Sequence, residues 1–461
     1  MQDTAIETRD ASKLDTLAEV LLRTQFLSVN INSMQIVVVG RGLDHELLVK
    51  AIRATISRCP LLLTRPDPKA RRVEVGAWKP EDIRCDEAHH TGPLGFRHPE
   101  FRRFVTELAL KNPVKWLEEP PVRFWHVRST IEDKSCLLMT PSHAVADAKS
   151  DSMFLSELFS DYGRLLGQED ADGKRLGFES LPSVSPTCRQ IDRGALSGIG
   201  MWESIKEGLA KDHGLRVQSQ HVRGTSGRTV DFYREILDEN LQKRFETAAR
   251  REGQTVNTLL TACLLRAVKD QVAGKEKRIR VMMPVSVRNL VPERAKTYYQ
   301  NFMLPYRMSL PRHSSDEVLF EDIARQVSDL KAGRIFLELA KLGHLNRLLR
   351  NRSTRRLGLW MFRRFQTTSI AYSNPGVVEE RFTHFGHPGL PIEDYIGFGC
   401  LVAPIDFIFY TPKIHGRLEL NAVYYPDAFD DFKEQVIDRI KRELIRITDK
   451  HAPDYDVARA A

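Results

Sequence analysis

The chain has 461 residues, of which 42% are hydrophobic and 28% charged, and its formal net charge is +8. This length favours two domains of roughly 150–220 residues. No apolar run approaches the ~20 residues of a membrane span, and the N-terminus lacks the basic and apolar regions of a signal peptide, so we expect a cytoplasmic protein. The positive charge admits an anionic partner, but no helix-turn-helix, zinc-finger or RNP pattern supports nucleic acid.

The six cysteines are scattered along the chain, and no two of them form a CxxC pair. This usage is typical of reduced thiols in a cytosolic protein rather than of a disulfide framework or a metal cluster. We therefore expect no metal site.

Hydrophobic periodicity predicts alternating helices and strands in the first part of the chain. Asp44 is a helix N-cap residue that precedes an apolar repeat of helical spacing, and Pro60 follows the end of that helix. The predicted elements are a helix at 14–22, a strand at 34–39, a helix from 44 to about 59, strands at 122–128 and 135–140, and a helix from 147 to about 166.

A stretch rich in Gly, Ser, Pro and charge interrupts this pattern between residues 167 and 227. Such composition is typical of a linker. We therefore divide the chain into an N-terminal lobe at 1–166, a linker or crossover at 167–228 and a C-terminal lobe at 229–461.

The second half resumes the mixture of strands and helices. Thr255 caps one apolar helix, and Ser314 with Glu317 forms a capping box for another. The predicted elements are strands at 229–237, 278–287, 302–310, 367–373, 401–410 and 417–424, with helices at 238–252, 256–272, 316–332 and 429 to about 448. Both halves therefore predict the α/β fold class.

One short stretch, Pro141–Ala148, places His143 four residues before Asp147. The stretch lies between an apolar strand and an amphipathic helix, so the pair occupies a tight strand-to-helix loop. Histidine changes charge near neutral pH, which suits it to proton transfer. A lone HxxxD pair is common by chance, and a structural histidine is the alternative. No P-loop, GxGxxG, GxSxG or HExxH pattern offers different chemistry.

With these motifs the chain resembles the CoA-dependent acyltransferases related to chloramphenicol acetyltransferase, especially nonribosomal-peptide condensation domains and polyketide-associated or alcohol acyltransferases. Their signature, HHxxxDG, stands here as SHAVADA from Ser142 to Ala148. The resemblance covers nearly the whole chain. The further segments that resemble the family are Arg58–Leu62, Thr255–Ala262, Met283–Arg288 and Ser373–Gly376.

The resemblance implies two chloramphenicol-acetyltransferase-like lobes, each a mixed sheet with flanking helices, and an active-site tunnel between them. His143 matches the catalytic histidine, a general base for an acceptor hydroxyl or amine. Asp147 matches an aspartate that pairs with an arginine of the other lobe, here Arg288, in a structural role. Ser373, Asn374 or backbone N–H groups beside His143 are the candidates for stabilising the oxyanion.

The resemblance also implies the partners of the reaction. The donor is an acyl-CoA or acyl-carrier-protein thioester, and the acceptor is a small molecule or lipid in natural-product or lipid biosynthesis. We expect no tightly bound cofactor and a monomeric protein. Ser142 and Ala148 depart from the signature, which keeps two alternatives open: a catalytically silent relative that binds a thioester or carrier protein, and a simple binding protein with the same cleft.

A basic segment, Lys341–Arg364, contains eight lysine or arginine residues and no acidic residue. A solvated helix face is the simplest interpretation. Arg352, Arg355 and Arg356 are instead the candidates for contacting CoA phosphates or an acidic carrier protein. Trp360 among the arginines also fits a peripheral membrane contact. All three interpretations stay open at the level of sequence.

Overall fold

The computed structural model describes residues 14, 16–24, 32–168, 202, 213–214, 229–271, 277–288, 297–365, 368, 370–377, 382–401 and 405–451. Most of the predicted linker, 167–228, lies outside the described residues. Its described pair His213–Gly214 forms a short strand.

Helices and strands alternate along both halves of the chain. The described helices are α1 (Thr16–Thr24), α2 (His45–Ser57), α3 (Pro99–Lys111), α4 (Ala148–Leu165), α5 (Glu239–Arg251), α6 (Val256–Val268), α7 (Asp316–Asp329), α8 (Ile335–Arg350), α9 (Arg355–Phe365) and α10 (Asp438–Lys450). The described strands are β1 (Met34–Val39), β2 (Arg65–Asp67), β3 (Arg72–Glu74), β4 (Cys85–His90), β5 (Val122–Ser129), β6 (Ser135–Pro141), β7 (His213–Gly214), β8 (Asp231–Ile236), β9 (Arg278–Ser286), β10 (Met303–Pro311), β11 (Ile370–Ser373), β12 (Ile392–Phe398), β13 (Phe407–Tyr410), β14 (Lys413–Ile414) and β15 (Arg417–Tyr424).

The N-terminal sheet has the strand order β12-β1-β6-β5-β4. Strand β4 runs parallel to β5, whereas the other neighbours are antiparallel. Strand β12 comes from the predicted C-terminal lobe and pairs along the whole of β1. Residues from the predicted C-terminal lobe therefore also supply one edge of the first sheet.

The C-terminal sheet has the order β10-β9-β11-β13-β15-β14, with β8 beside β15 and β7 beside β9. Strands β11 and β13 are parallel, and β13 and β15 are antiparallel. Each half therefore contains a mixed sheet with flanking helices, which confirms the predicted α/β architecture.

Alternation along the strands builds an apolar core between the two sheets. Ile36 and Val38 of β1 face a cluster that also contains Ile408 of β13 and Val423 of β15, whereas Val37 packs with the helices on the opposite face. Successive side chains of a strand point to opposite faces, so one strand contributes to both cores. This shared core places the end of β6 against the C-terminal sheet.

Several elements were missed from the sequence. Strand β4, helix α3 and strand β12 had no predicted counterpart. The basic segment lies on two helices, α8 and α9. Among the described residues no helix combines the length and apolar character needed to cross a bilayer.

Candidate active site at the end of β6

The loop from β6 to α4 presents His143. Strand β6 is buried along its length and ends at Pro141. Helix α4 begins after Asp147, whose Oδ1 accepts the backbone N–H of Ser150 at 2.8 Å. This N-cap satisfies one of the free N–H groups at the helix start. The chain therefore turns sharply between Ser142 and Asp147, with His143 in the turn.

The ring of His143 has one nitrogen engaged and one that faces the C-terminal half. Nδ1 lies 2.8 Å from the carbonyl oxygen of Ala146. Since a carbonyl only accepts, this contact requires the proton on Nδ1 and leaves the lone pair on Nε2. A Cβ atom placed on Gly399 would lie 3.9 Å from Nε2. The basic nitrogen therefore faces the backbone that follows β12.

Desolvation lowers the pKa of His143 below its usual 6.5, against the smaller opposing effects of the Ala146 carbonyl and the Asp147 carboxylate. A neutral imidazole is the form that accepts a proton. His143 as a residue is partly exposed.

Asp147 and Arg288 form a buried ion pair between the two halves. Arg288 Nη2 lies 2.9 Å from Asp147 Oδ1, and both side chains are less than about one-tenth exposed. Arg288 also donates to the carbonyl oxygens of Tyr298 and Gln300. The structure thus brings together the two residues that the sequence paired, and it joins the start of α4 to the chain after β9.

The segment that precedes β10 also holds the loop. The Asn301 side chain donates to the His143 carbonyl oxygen at 2.6 Å, and the Phe302 backbone N–H donates to Asp147 Oδ2 at 3.0 Å. Ser150 Oγ donates to the Gln300 carbonyl oxygen at 2.6 Å. Sequence reasoning missed the role of Asn301, because nothing in its local pattern distinguishes it from an ordinary strand-start residue.

A second buried carboxylate, Asp151, lies one turn into α4. It receives hydrogen bonds from Ser33, Gln35 and Tyr299 at 2.9–3.1 Å. Burial nevertheless raises its pKa to about 7. Its side chain joins β1, α4 and the segment before β10 in one polar network beneath the His143 loop.

The two departures from the family signature occupy different environments. Ser142 replaces the first histidine; its Oγ is buried and accepts or donates no hydrogen bond among the described residues. Ala148 replaces the glycine and is an exposed first residue of α4. It does not adopt a positive φ angle, and alanine is the best helix former, so its backbone position does not require glycine.

Ser373 and Asn374 lie at the end of β11. Asn374 is exposed; its side chain donates to Asn257 and accepts from the backbone of Gly376. No described contact joins it to the His143 loop. Ser373 pairs in register with Tyr410 of β13.

Tyr410 is a site candidate that sequence reasoning missed. Its hydroxyl accepts the Gly399 N–H at 2.8 Å and would lie 3.2 Å from a Cβ on Gly399. Burial raises the pKa of this phenol, so it stays protonated as a donor. Tyr410 and His143 therefore approach the same glycine from the two halves of the molecule.

Solved structures share this architecture over almost the whole chain. The first condensation domain of the CDA synthetase aligns with a TM-score of 0.67 at 14% identity, over 95% of this chain and 95% of that chain. The TRI3 trichothecene 15-O-acetyltransferase from Fusarium sporotrichioides aligns with a TM-score of 0.66 at 12% identity, over 95% of this chain and 94% of that chain. The chain has the condensation-domain fold.

A further structure with this fold is the complex of the X-domain and OxyB from teicoplanin biosynthesis, with a TM-score of 0.64 at 16% identity over 97% of this chain and 94% of that chain. No family model matches the chain. The structural similarity establishes the condensation-domain fold that the resemblance predicted. At identities this low it does not establish the activity.

The arginines proposed to contact CoA lie on the surface of this fold. Arg352, Arg355 and Arg356 are exposed at the junction of α8 and α9. Arg350 instead pairs with the fully buried Glu19 of α1 at 2.6 Å. The basic segment is therefore partly a structural anchor, which the solvated-face interpretation did not predict for Arg350.

Proposed function

We propose that this protein is an acyltransferase that moves an acyl group from a CoA or carrier-protein thioester to a hydroxyl or amine acceptor, with His143 as the general base. The observation that carries the proposal is the orientation of His143. Its Nδ1–H is held by the Ala146 carbonyl, so Nε2 is a free base that faces the junction of the two halves.

The proposed step needs one base and no covalent enzyme intermediate. As the acceptor oxygen or nitrogen attacks the thioester carbonyl, its proton passes to His143 Nε2. The tetrahedral intermediate then collapses, the carbon–sulfur bond breaks, and the proton on Nε2 passes to the leaving thiolate to give the free thiol. General-base assistance of this kind supplies roughly 10²–10⁴-fold in rate.

The oxyanion of that intermediate needs hydrogen-bond donors. Ser373, Asn374 and backbone N–H groups beside His143 stay candidates, and the geometry adds the Tyr410 hydroxyl. Tyr410 is favoured because it lies against Gly399, the residue that His143 Nε2 also faces. We expect Tyr410→Phe to lower turnover more than Asn374→Ala does.

The donor's phosphates, or an acidic carrier protein, need a cationic surface. Arg352, Arg355 and Arg356 are exposed and supply one. Charge reversal of Arg355 and Arg356 together should raise the KM for the donor several-fold and leave kcat unchanged. An unchanged KM would support the solvated-face interpretation. If the charge-reversal variant no longer bound anionic vesicles but still bound the thioester, the membrane interpretation would be supported.

The direct test follows free-thiol release and product mass with a panel of acyl-CoA and acyl-carrier thioesters, with and without alcohol or amine acceptors. We expect acceptor-dependent release by the wild type and a loss of 10²–10⁴-fold in His143→Ala. His313→Ala is the matched control, because His313 is exposed and lies after β10. Full activity of His143→Ala would exclude the proposed base.

A catalytically silent binding protein is the second candidate. Ser142 Oγ makes no hydrogen bond among the described residues, and one protein of the same fold was solved as a complex of the X-domain and OxyB. This candidate predicts saturable binding of a thioester or a carrier protein without thiol release by the wild type. The proposed transferase instead predicts turnover with at least one donor–acceptor pair.

A further inference from the structure

A second histidine cluster lies on the N-terminal sheet, away from the site of the proposed function. Glu87 on β4 and His126 on β5 are register partners in the parallel pair. His45 is the first residue of α2 and lies over them. One donor atom from each of the three residues falls within 4.8 Å of the others. The fold thus gathers three ligand-type side chains from three separate elements.

The distances within this cluster suit a shared ion. The Nδ1 atoms of His45 and His126 are 3.3 Å apart. Two zinc–nitrogen bonds of about 2.0–2.1 Å at a tetrahedral angle place their nitrogens about 3.3–3.4 Å apart. Glu87 Oε1 lies 4.0 Å from His45 Nδ1 and 3.9 Å from His126 Nδ1. Its side chain is 39% exposed, so it is free to move the remaining fraction of an ångström.

The surroundings of His126 prepare its Nδ1 as a ligand. The side chain is fully buried, and Nε2 lies 2.9 Å from Ser135 Oγ, which also accepts the Leu43 N–H. A proton on Nε2 that is donated to Ser135 leaves the Nδ1 lone pair directed into the cluster. Metal-bound histidines almost always donate their other N–H in this way.

One neighbouring cationic side chain competes with a metal ion for the Glu87 carboxylate. Arg128 is the competing charge, since its Nη1 lies 3.8 Å from Glu87 Oε1. Half of the Arg128 side chain is exposed, so it can swing into solvent.

We propose that His45, Glu87 and His126 form a binding site for a divalent transition-metal ion such as zinc, with water as the fourth ligand on the solvent side. Imidazole nitrogens with one carboxylate are a donor set that zinc accepts. The ion would tie the start of α2 to β4 and β5, and so brace the sheet that carries the proposed base.

The test uses untagged full-length protein that has been stripped with a chelator and dialysed against Zn²⁺. We expect one zinc ion per chain, a rise in the thermal midpoint on binding, and tetrahedral visible absorption with Co²⁺. His45→Gln and Glu87→Gln change partly exposed side chains, so folding is retained, and each should weaken binding at least tenfold. Arg128→Gln should strengthen it.

The matched controls are His313→Gln and Glu81→Gln, which change exposed residues of the same types outside the cluster. Both should bind zinc as the wild type does. The proposal is overturned if the wild type binds no stoichiometric zinc, or if His45→Gln and Glu87→Gln bind it as tightly as the controls. Thiol-release activity is measured separately, so failure of this site leaves the proposed acyl transfer unaffected.

Discussion

His143 and His126 both belong to the N-terminal half, and desolvation lowers the pKa of both. They differ in which ring nitrogen is held by a neighbouring oxygen. In His143 the Ala146 carbonyl takes Nδ1 and leaves Nε2 facing Gly399. In His126 Ser135 takes Nε2 and leaves Nδ1 facing a second histidine. The difference shows that the hydrogen-bond partner of one nitrogen determines what the other can do.

The largest expected effect concerns the buried ion pair that holds the His143 loop. Asp147→Asn should cost about 3–5 kcal/mol of unfolding free energy, because it removes the negative charge that compensates the buried Arg288 guanidinium. Urea denaturation measures this cost. The double variant Asp147→Asn/Arg288→Met should recover part of it. A single variant within 1 kcal/mol of wild type would make the pair dispensable.

A smaller effect concerns stability at the second histidine. The pKa of His126 is lowered to about 4, so the unfolded chain binds its proton more readily than the folded chain. The contribution of His126 to the free energy of unfolding is therefore fully present above about pH 6.5. It is lost as the pH falls towards 4, which lowers stability by roughly 3 kcal/mol. Unfolding free energies at pH 7 and pH 4.5 should differ less in His126→Gln than in wild type. The control is His313→Gln. If the change in unfolding free energy between pH 7 and pH 4.5 were the same in His126→Gln as in this control, the prediction would be wrong.

The third prediction concerns the space before His143 Nε2. Gly399→Val would add carbon atoms beside Tyr410 Oη and His143 Nε2. It should lower kcat/KM by about 10–100-fold without unfolding the protein, because small displacements of reacting groups are costly. Gly343→Ala is the control, since a Cβ on Gly343 meets no atom within 4 Å. Unchanged turnover in Gly399→Val would remove this space from the proposed active site.

The smallest expected effect is a shift in the pH dependence of turnover. A base must be neutral to accept a proton, and the pKa of His143 is lowered from 6.5. The plot of kcat/KM against pH should fall on the acid side with a midpoint below 6.5. A fall with a midpoint above 6.5 would show that His143 is not desolvated, or that another group is the base.

The fold class and the central pair could be predicted from sequence because their signals are local. The apolar run of β6 and the N-cap Asp147 define the loop that presents His143. Arg288, which follows β9, was identified as the partner of Asp147 through the family resemblance. Strand β12 was missed because its half-exposed pattern, together with its long separation from β1, gives no local indication that it joins the first sheet.

The contacts that complete both sites come from chain segments far apart in sequence. Gly399 follows β12 of the first sheet and Tyr410 lies on β13 of the second, so both sheets must form before the two residues meet near His143. His45 on α2 and His126 on β5 are 81 residues apart in the sequence. Only the packing of α2 on the sheet brings them together, so the sequence alone shows no sign of the proposed metal site. The expectation of no metal site was based on cysteine spacing and did not consider this cluster.

Nitrogen NMR of the protein with ¹⁵N-labelled histidine tests the central claim directly, because it identifies which ring nitrogen carries the proton and needs no substrate. At pH 7.5, with His143→Gln used to assign the signal, His143 should be neutral and protonated on Nδ1, with Nε2 free. A proton on Nε2, or a doubly protonated ring, would contradict the proposed base.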